Sequence, residues 1–285
     1  MDIGTLSSRL RRADDGIWHA TDAQAISYPS EGNDNCFAVE RDSWWFNHRN
    51  DCILAAVETF PPPSHGSIFD VGGGNGFVSQ GLARAGFNTV LVEPGEAGAR
   101  NAKARGVENV ICATTETAGL EPGSLPAVGL FDVIEHIKDD IGFLKHIHML
   151  LKDDGLLYAT VPSYQMLWSG EDVRAGHFRR YSREQICRTL SQSGFDVLFS
   201  SYFFRPLPIP IFLLRALPHM IGISRNLSSD QAATKDHASP GKLFSWALER
   251  ALRRETGNLR RKKPMRFGAS CLLVARPRLS ENRMS

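Results

Sequence analysis

The 285-residue sequence lacks the features that define several protein classes. It contains only five cysteines, which are scattered and form no CxxC pair, so neither a disulfide framework nor a cysteine zinc site is expected. It has no run of about 18 apolar residues, and a membrane-spanning helix is therefore not predicted. The basic residues near the start are followed by no apolar run, so we expect no secretory signal and a cytoplasmic location.

Charge is distributed unevenly along a chain whose formal net charge is only +2. Residues 241–285 carry twelve Lys or Arg and three acidic residues, so the rest of the chain is net negative. Such a basic segment is typical of a solvated helical face, and it also suits contact with phosphate, anionic lipid or nucleic acid. The sequence has no aromatic base-stacking motif, so a nucleic-acid partner is not expected.

Strand-like and helical segments alternate through the middle of the chain. The predicted strands are 67–71, 89–93, 109–112, 127–133, 155–161 and 196–202. This rhythm favours an α/β fold with a doubly wound, mostly parallel sheet.

A further strand-like segment, 269–275, lies about 65 residues after the sixth strand and therefore departs from the regular alternation of strands and helices. We therefore predict a core formed by residues 37–204 and 265–278, with a helical insertion at 205–264 that forms a lid. Residues 1–36 are predicted to be a flexible arm, and residues 279–285 a tail.

The segment IFDVGGGNG (68–76) places Asp70 at a strand end and glycines at 72, 74 and 76. Glycines allow backbone to approach a ligand closely, and the following helix offers free N–H groups. Glu93 ends the next strand, where a carboxylate can accept ribose hydroxyls. Neither the dinucleotide pattern nor a P-loop is present, and Asp70 suits a cationic ligand better than a pyrophosphate.

The motifs DVGGGNG, LVEP, LFDVIEHIKDD and LLKDDGLLYATVP closely resemble those of the class I S-adenosylmethionine-dependent methyltransferases. The resemblance runs from about residue 37 to 202 and resumes at 268–277. It implies a Rossmann-like, seven-stranded sheet whose antiparallel last strand is the segment 269–275. Gly73 departs from the Cys or Thr that is commoner in the family.

The resemblance also implies roles in binding S-adenosylmethionine. Asp70 would hold the methionine end of the cofactor, Gly72, Gly74 and Gly76 would admit it, and Glu93 would bind the ribose.

Further cofactor contacts are implied around these positions. Thr114 and Thr115 would border the adenine, whereas Phe131 and Asp132 would border the methionine portion. Arg49 would meet the cofactor carboxylate, for which a guanidinium fork is well suited.

Candidate acceptor-side residues lie in two polar clusters, EHIKD and GHFRRYS. His136 and His177 are candidate bases for an acceptor that must lose a proton, although each also suits a structural role. Trp45 would roof the pocket, and Arg179 and Tyr181 would contact the acceptor. The alternative for the arginines of this cluster is pairing with nearby acids.

We therefore expect a methyltransferase for a small-molecule or amphiphilic acceptor, methylated on oxygen, nitrogen or carbon, and we place no metal site. The apolar segment 205–223 and the basic C-terminal region keep open, as the alternative, a lipid- or quinone-like acceptor and peripheral contact with the inner membrane surface. A nucleic-acid methyltransferase, a non-catalytic cofactor-binding protein and a dehydrogenase are the alternatives. The sequence leaves the oligomeric state open.

Overall fold

The computed structural model describes residues 3–21, 37, 40, 41, 43–223 and 242–279. The strands of the described residues are β1 (Leu10–Arg12), β2 (Trp18–Ala20), β3 (Ile68–Val71), β4 (Thr89–Val92), β5 (Val110–Cys112), β6 (Leu125–Phe131), β7 (Leu151–Pro162), β8 (Phe195–Phe203) and β9 (Ser270–Pro277). The helices are α1 (Trp44–Thr59), α2 (Phe77–Arg84), α3 (Glu96–Ala104), α4 (Asp140–Leu150), α5 (Gly170–Ala175), α6 (Arg183–Gln192), α7 (Pro208–Ile211, continued by Phe212–Ala216 and Leu217–Met220) and α8 (Lys242–Arg260).

These strands form one sheet in the order β1-β2-β5-β4-β3-β6-β7-β9-β8. The strands from β5 to β7 in this order are parallel, whereas β9 runs antiparallel between β7 and β8. The predicted α/β class and the antiparallel last strand are confirmed.

The sheet is buried on both faces, which explains why its central strands read as continuous apolar runs. One face packs on α4 and α6, and the other packs on α1, α2 and α8. Because β3, β4 and β6 are parallel neighbours, their carboxyl ends meet at one edge of the sheet. Ligands bind at this edge in open α/β sheets, next to the point where the strand order reverses.

The N-terminal residues differ from the expected flexible arm. Residues 3–21 include the hairpin β1–β2, and β2 adds to β5 in parallel. Ile3, Leu10 and Ile17 are buried by this addition, which gives the hairpin an apolar reason to dock. Residues 22–36, also predicted to belong to the arm, lie outside the described part of the chain.

The predicted insertion at 205–264 is described in its first and last thirds. The first contains α7, whose middle turn is π-helical, and the last contains α8, which packs against α1. No helix among the residues described is long and apolar enough to cross a membrane. The predicted tail lies outside the described residues beyond Leu279.

Candidate active site

The glycine-rich turn between β3 and α2 has a backbone that only glycine adopts readily. Gly72, Gly74 and Gly76 have φ values of 70°, 53° and 73°, all in the left-handed region. A Cβ on Gly76 would also lie 2.8 Å from the Cβ of Ala102 on α3. The turn therefore passes close to its neighbours and directs the first N–H groups of α2 toward the site.

Gly73, the departure from the family pattern, is also required by packing. A Cβ at this position would lie 2.3 Å from Cδ1 of Leu91 and 2.7 Å from Cγ of Asp70. Glycine here lets the turn lie directly against the Asp70 carboxyl group.

Asp70 is completely buried at the centre of the sheet edge. Its Oδ2 accepts a hydrogen bond from Ser79 Oγ at 2.7 Å, whereas its buried Oδ1 has no hydrogen-bond partner among the described residues. Burial raises the pKa of Asp70 to about 6, and the Ser79 bond and Arg49 oppose this only in part. A buried carboxylate with one free oxygen is suited to receive a cationic ligand group.

Glu93 follows β4 and is held in place from both sides. Its Oε2 accepts from the backbone N–H of Gly74 at 2.9 Å, and its Oε1 accepts from that of Gly95 at 2.7 Å. Burial raises the pKa of Glu93 although both N–H groups lower it. Each oxygen keeps a further lone pair, as an acceptor of two ribose hydroxyls requires.

Arg49 reaches from α1 to the carboxyl end of β6. Its Nη2 donates to the carbonyl oxygen of Phe131 at 2.6 Å, and its Nε lies 2.6 Å from Asp132 Oδ2. Asp132 has a left-handed backbone (φ 58°) and also accepts from Thr160 Oγ1. The structure thus brings Arg49, Phe131 and Asp132 together, next to the strand that carries Asp70.

The two threonines after β5 occupy a tight turn. Thr114 and Thr117 exchange hydrogen bonds between their hydroxyls and backbone N–H groups, so Thr114 has a local structural role. Thr115 is buried and donates to Glu116. Their contact with adenine stays a prediction.

The two histidine candidates lie side by side, because the loop after β7 folds over the end of β6. The rings of His136 and His177 are 4.6 Å apart between centroids. Nδ1 of His177 lies 2.9 Å from Oδ1 of Asp172, and the Asp172 oxygen also accepts from Arg180 Nε at 2.7 Å. Burial raises the pKa of Asp172, but these hydrogen bonds outweigh burial and lower it to about 2.

The surroundings of His136 favour its neutral form. Burial, followed by the neighbouring His177, lowers the pKa of His136 to about 4. Beside it, Glu135 is fully buried, and neither of its carboxyl oxygens has a hydrogen-bond partner among the described residues. Burial, followed by Asp132, raises the pKa of Glu135 well above its usual range.

Two residue groups in the described part of the chain have ligand atoms close enough to hold a cation. One is Glu135, His136 and His177, and the other is His48, Cys52 and Glu255; each set lies within 4.8 Å. In the second group, Glu255 already accepts hydrogen bonds from two backbone N–H groups, and its Oε2 lies 3.0 Å from His48 Nε2.

The predicted acceptor contacts have other partners in the structure. Tyr181 is buried and donates to Asp140, which also pairs with Arg179 at 2.8 Å. Trp45 stacks on Phe204, 5.3 Å between centroids and nearly parallel. Arg179 and Tyr181 therefore fix the loop that carries His177, and Trp45 fixes the start of the insertion.

Sequence reasoning missed a buried polar group behind the glycine turn. Glu40 accepts from Arg105 at 2.5 Å and from Asn75 at 3.5 Å, and the Arg105 guanidinium lies over the ring of Phe77. The only available signal was Asn75 within the glycine motif, because Glu40 and Arg105 are 65 residues apart.

Comparison with known proteins agrees with this geometry. The sequence model of a methyltransferase domain family matches residues 45–199, so the chain belongs to that family. The match confirms the class of S-adenosylmethionine-dependent methyltransferases that the motifs predict.

Individual relatives are distant. The chain is 25% identical over 138 residues to the ubiquinone biosynthesis O-methyltransferase of Xylella fastidiosa; the match covers 44% of this chain and 56% of that protein. The chain thus spans a little over half the length of this curated relative.

Two solved structures are similar in fold. One is phosphoethanolamine N-methyltransferase 2 of Haemonchus contortus in complex with S-adenosylmethionine (TM-score 0.54, 17% identity, 89% of this chain and 58% of that one). The other is the [4+2]-cyclase SpnF (TM-score 0.53, 18% identity, 88% and 93%). At these identities the likeness concerns the fold alone.

The described residues fit the cofactor. The free, buried Oδ1 of Asp70 suits the ammonium group of the methionine moiety, and the fixed carboxylate of Glu93 suits the ribose. Arg49, at the end of β6 beside Asp132, carries the guanidinium group that is well suited to hold a carboxylate.

Changing Asp70 to Asn is expected to alter stability and cofactor binding in opposite directions. The folded-state pKa of Asp70 lies near 6, above the ordinary value of 3.8. The folded state therefore becomes less stable as the pH rises between these two values, because Asp70 ionises more readily in the unfolded chain. Asp70→Asn should therefore raise the melting temperature of the cofactor-free protein at pH 7.5, and the gain should shrink as the pH falls below about 6. Its affinity for S-adenosylmethionine should fall roughly 10- to 100-fold, because a charge-assisted hydrogen bond is lost.

Differential scanning fluorimetry and calorimetry measure the two effects, with Asp51→Asn on the exposed face of α1 as the matched control. Equal affinity of Asp70→Asn and wild type would contradict the assigned role of Asp70.

Proposed function

We propose that this methyltransferase methylates a hydroxyl group of an amphiphilic small molecule, with His177 as the general base. The observation that carries the proposal is the contact between His177 Nδ1 and Asp172 Oδ1 at 2.9 Å. A carboxylate that accepts from one ring nitrogen fixes the tautomer and leaves the other nitrogen free to take a proton. Nitrogen acceptors that are neutral at pH 7 need no such base.

The charges around this pair support His177 rather than His136 as the base. Asp172 stays ionised at neutral pH because its pKa is about 2, so its Oδ1 is available to accept a hydrogen bond from His177 Nδ1. His136, with a pKa of about 4, holds a proton poorly at neutral pH and acts as a neutral hydrogen-bonding partner. Beside them, the buried Glu135 adds a carboxyl group with no hydrogen-bond partner among the residues that the structure describes.

When bound, the cofactor supplies a methyl group activated by its sulfonium. The chain's own residues then position the cofactor and the acceptor and exclude water from them, as in-line displacement requires. Asp70, Glu93 and Arg49 hold the cofactor at the carboxyl ends of β3, β4 and β6, and His177 removes the acceptor proton beside it. The similarity to an O-methyltransferase over 138 residues supports an oxygen acceptor.

The alternative functions, a nucleic-acid methyltransferase and a non-catalytic cofactor-binding protein, have less support. Arg179 and Arg180 are paired with Asp140 and Asp172, which leaves them less suited to hold a phosphate backbone. A non-catalytic cofactor-binding protein would not need the Asp172–His177 pair.

Replacing His177 is expected to slow methyl transfer without weakening cofactor binding. With an alkylphenol in detergent as acceptor, His177→Gln should lower kcat about 10²- to 10⁴-fold, the usual contribution of a general base. The Kd for S-adenosylmethionine should remain that of the wild type. Formation of S-adenosylhomocysteine measures turnover, and His65→Gln, which changes an exposed histidine remote in sequence, is the matched control.

The corresponding alkylaniline tests the acceptor class, and a chelator tests whether Glu135, His136 and His177 act through a cation instead. Equal rates for phenol and aniline in the wild type, or an unchanged rate in His177→Gln, would contradict the proposal.

We further propose that the acceptor is presented at an anionic membrane surface. Six apolar side chains are more than half exposed on α7 and the residues after it: Ile209, Leu213, Leu214, Met220, Ile221 and Ile223. An apolar face of this size rarely stays in water on a monomeric protein. The segment Gln165–Leu167 packs against α7 and leads directly into α5, which carries Asp172, so the apolar face adjoins the acceptor side.

Charge next to α7 favours an anionic lipid surface. Arg205 precedes α7 and lines a cavity of about 710 Å³ together with Arg250, Arg253, Arg254 and Arg261 of the α8 region. Glu249 is the one acidic residue among those that line it. Lysine and arginine near an anionic bilayer contribute about 1 kcal/mol each.

Vesicle sedimentation tests this surface. The wild type should sediment with phosphatidylglycerol-containing vesicles, and more weakly with phosphatidylcholine alone. A triple variant, Leu213→Ser, Leu214→Ser and Met220→Ser, should bind at least about tenfold more weakly, because burial of apolar side chains drives interfacial binding. Leu198→Ser, at an exposed leucine of β8, is the control; wild-type protein that stays in the supernatant with both vesicles would refute the proposal.

A further inference from the structure

One buried carboxylate connects three separate segments of the chain. Glu255 of α8 is 2% exposed. Its Oε2 accepts from the backbone N–H of Phe204 at 2.8 Å and lies 3.0 Å from His48 Nε2, while its Oε1 accepts from the N–H of Arg205 at 2.8 Å. The carboxylate therefore joins α8, the end of β8 and α1.

This arrangement fixes the residue at which the insertion begins. Phe204 has a left-handed backbone (φ 58°), which a bulky residue adopts only when its surroundings impose it. The Glu255 carboxylate provides that constraint by holding its N–H. The Phe204 ring in turn lies against His48 and stacks on Trp45.

The same arrangement bears on the candidate cofactor site. Arg49 follows His48 in α1, and its guanidinium lies 5.8 Å from the centroid of the Trp45 ring. Arg49 is thus held between the aromatic residues that Glu255 positions and the end of β6. The path from Glu255 to Arg49 runs through the buried Phe204 and the partly buried Trp45, and closely packed groups of this kind transmit a displacement to one another.

We propose that Glu255 is a positioning residue that couples docking of α8 to the orientation of Arg49 and thereby to binding of the cofactor's carboxylate. The inference depends on the proposed role of Arg49. It assigns a part in cofactor binding to a residue of the insertion that is linked to Arg49 through Phe204 and Trp45. Cofactor binding and docking of α8 then favour each other, as linkage requires.

The test compares two ligands that differ in the methionine moiety. S-Adenosylhomocysteine carries the carboxylate, whereas 5′-methylthioadenosine lacks the whole amino-acid end. Glu255→Ala should weaken binding of the first about tenfold, a coupling typical of residues in one network, and leave binding of the second within about twofold. Glu255→Gln, which keeps one acceptor oxygen, should weaken binding of S-adenosylhomocysteine less. Glu249→Ala, on the exposed side of the same helix, should change the binding of neither ligand.

A double-mutant cycle then separates positioning from general stability. In the Arg49→Ala background, Glu255→Ala should weaken S-adenosylhomocysteine binding by no more than about twofold, because its effect passes through Arg49. Equal losses for the two ligands, or a full additional loss in the Arg49→Ala background, would overturn the inference. If Glu255→Ala does not fold, Glu255→Gln is measured by the same criteria.

Different results would refute the proposed role of Arg49 and the proposed role of Glu255. Unchanged affinity in Arg49→Ala alone would refute the role of Arg49 and the inference with it. Weakened binding in Arg49→Ala but wild-type binding in both Glu255 variants would refute only the role of Glu255.

Discussion

The candidate cofactor site depends on the two hydrogen bonds that Glu93 accepts from the N–H groups of Gly74 and Gly95. These hydrogen bonds connect the glycine turn after β3 to the end of β4. The turn can reach Glu93 only because its glycines adopt a left-handed backbone conformation. The turn then lies against Asp70 so closely that even a Cβ on Gly73 would collide. Both carboxylates are therefore placed before a ligand arrives, and preorganisation of this kind reduces the cost of binding.

The site has two sides with different electrostatics. On the side proposed for the cofactor, burial raises the pKa of Asp70, which suits a cationic group, and the pKa of Glu93, which suits the ribose hydroxyls. On the acceptor side, Asp172 is held ionised by His177 and Arg180, while the neighbouring His136 is kept neutral. Paired groups whose surroundings move their pKa values apart are typical of sites that transfer protons. The proposed cofactor side follows the methyltransferase motifs, whereas the proposed acceptor side rests on the contact between His177 and Asp172.

Sequence reasoning predicted the parts whose signals are local. The strand, glycine turn and following acid lie within 26 residues. The segment 269–275 is strand-like in its own sequence, and the resemblance to the methyltransferase family identifies it as the antiparallel strand. The hairpin β1–β2 was missed because three-residue strands are too short to show a period. The hydrogen-bond partners of Tyr181, Arg179 and Glu255 could not be predicted from the sequence either. His48 and Glu255, for example, are 207 residues apart, and only the fold brings them together.

The most direct test of the account is calorimetric binding of S-adenosylmethionine to wild-type protein and to Glu93→Gln, with Glu96→Gln as the exposed control. The wild type should bind with micromolar affinity, about −8 kcal/mol. Glu93→Gln should bind roughly 10- to 100-fold more weakly because a charged acceptor of two hydroxyls is lost, and Glu96→Gln should bind as the wild type does. Absence of binding by folded wild-type protein, or equal affinity in Glu93→Gln, would contradict the assignment of this turn as the cofactor site.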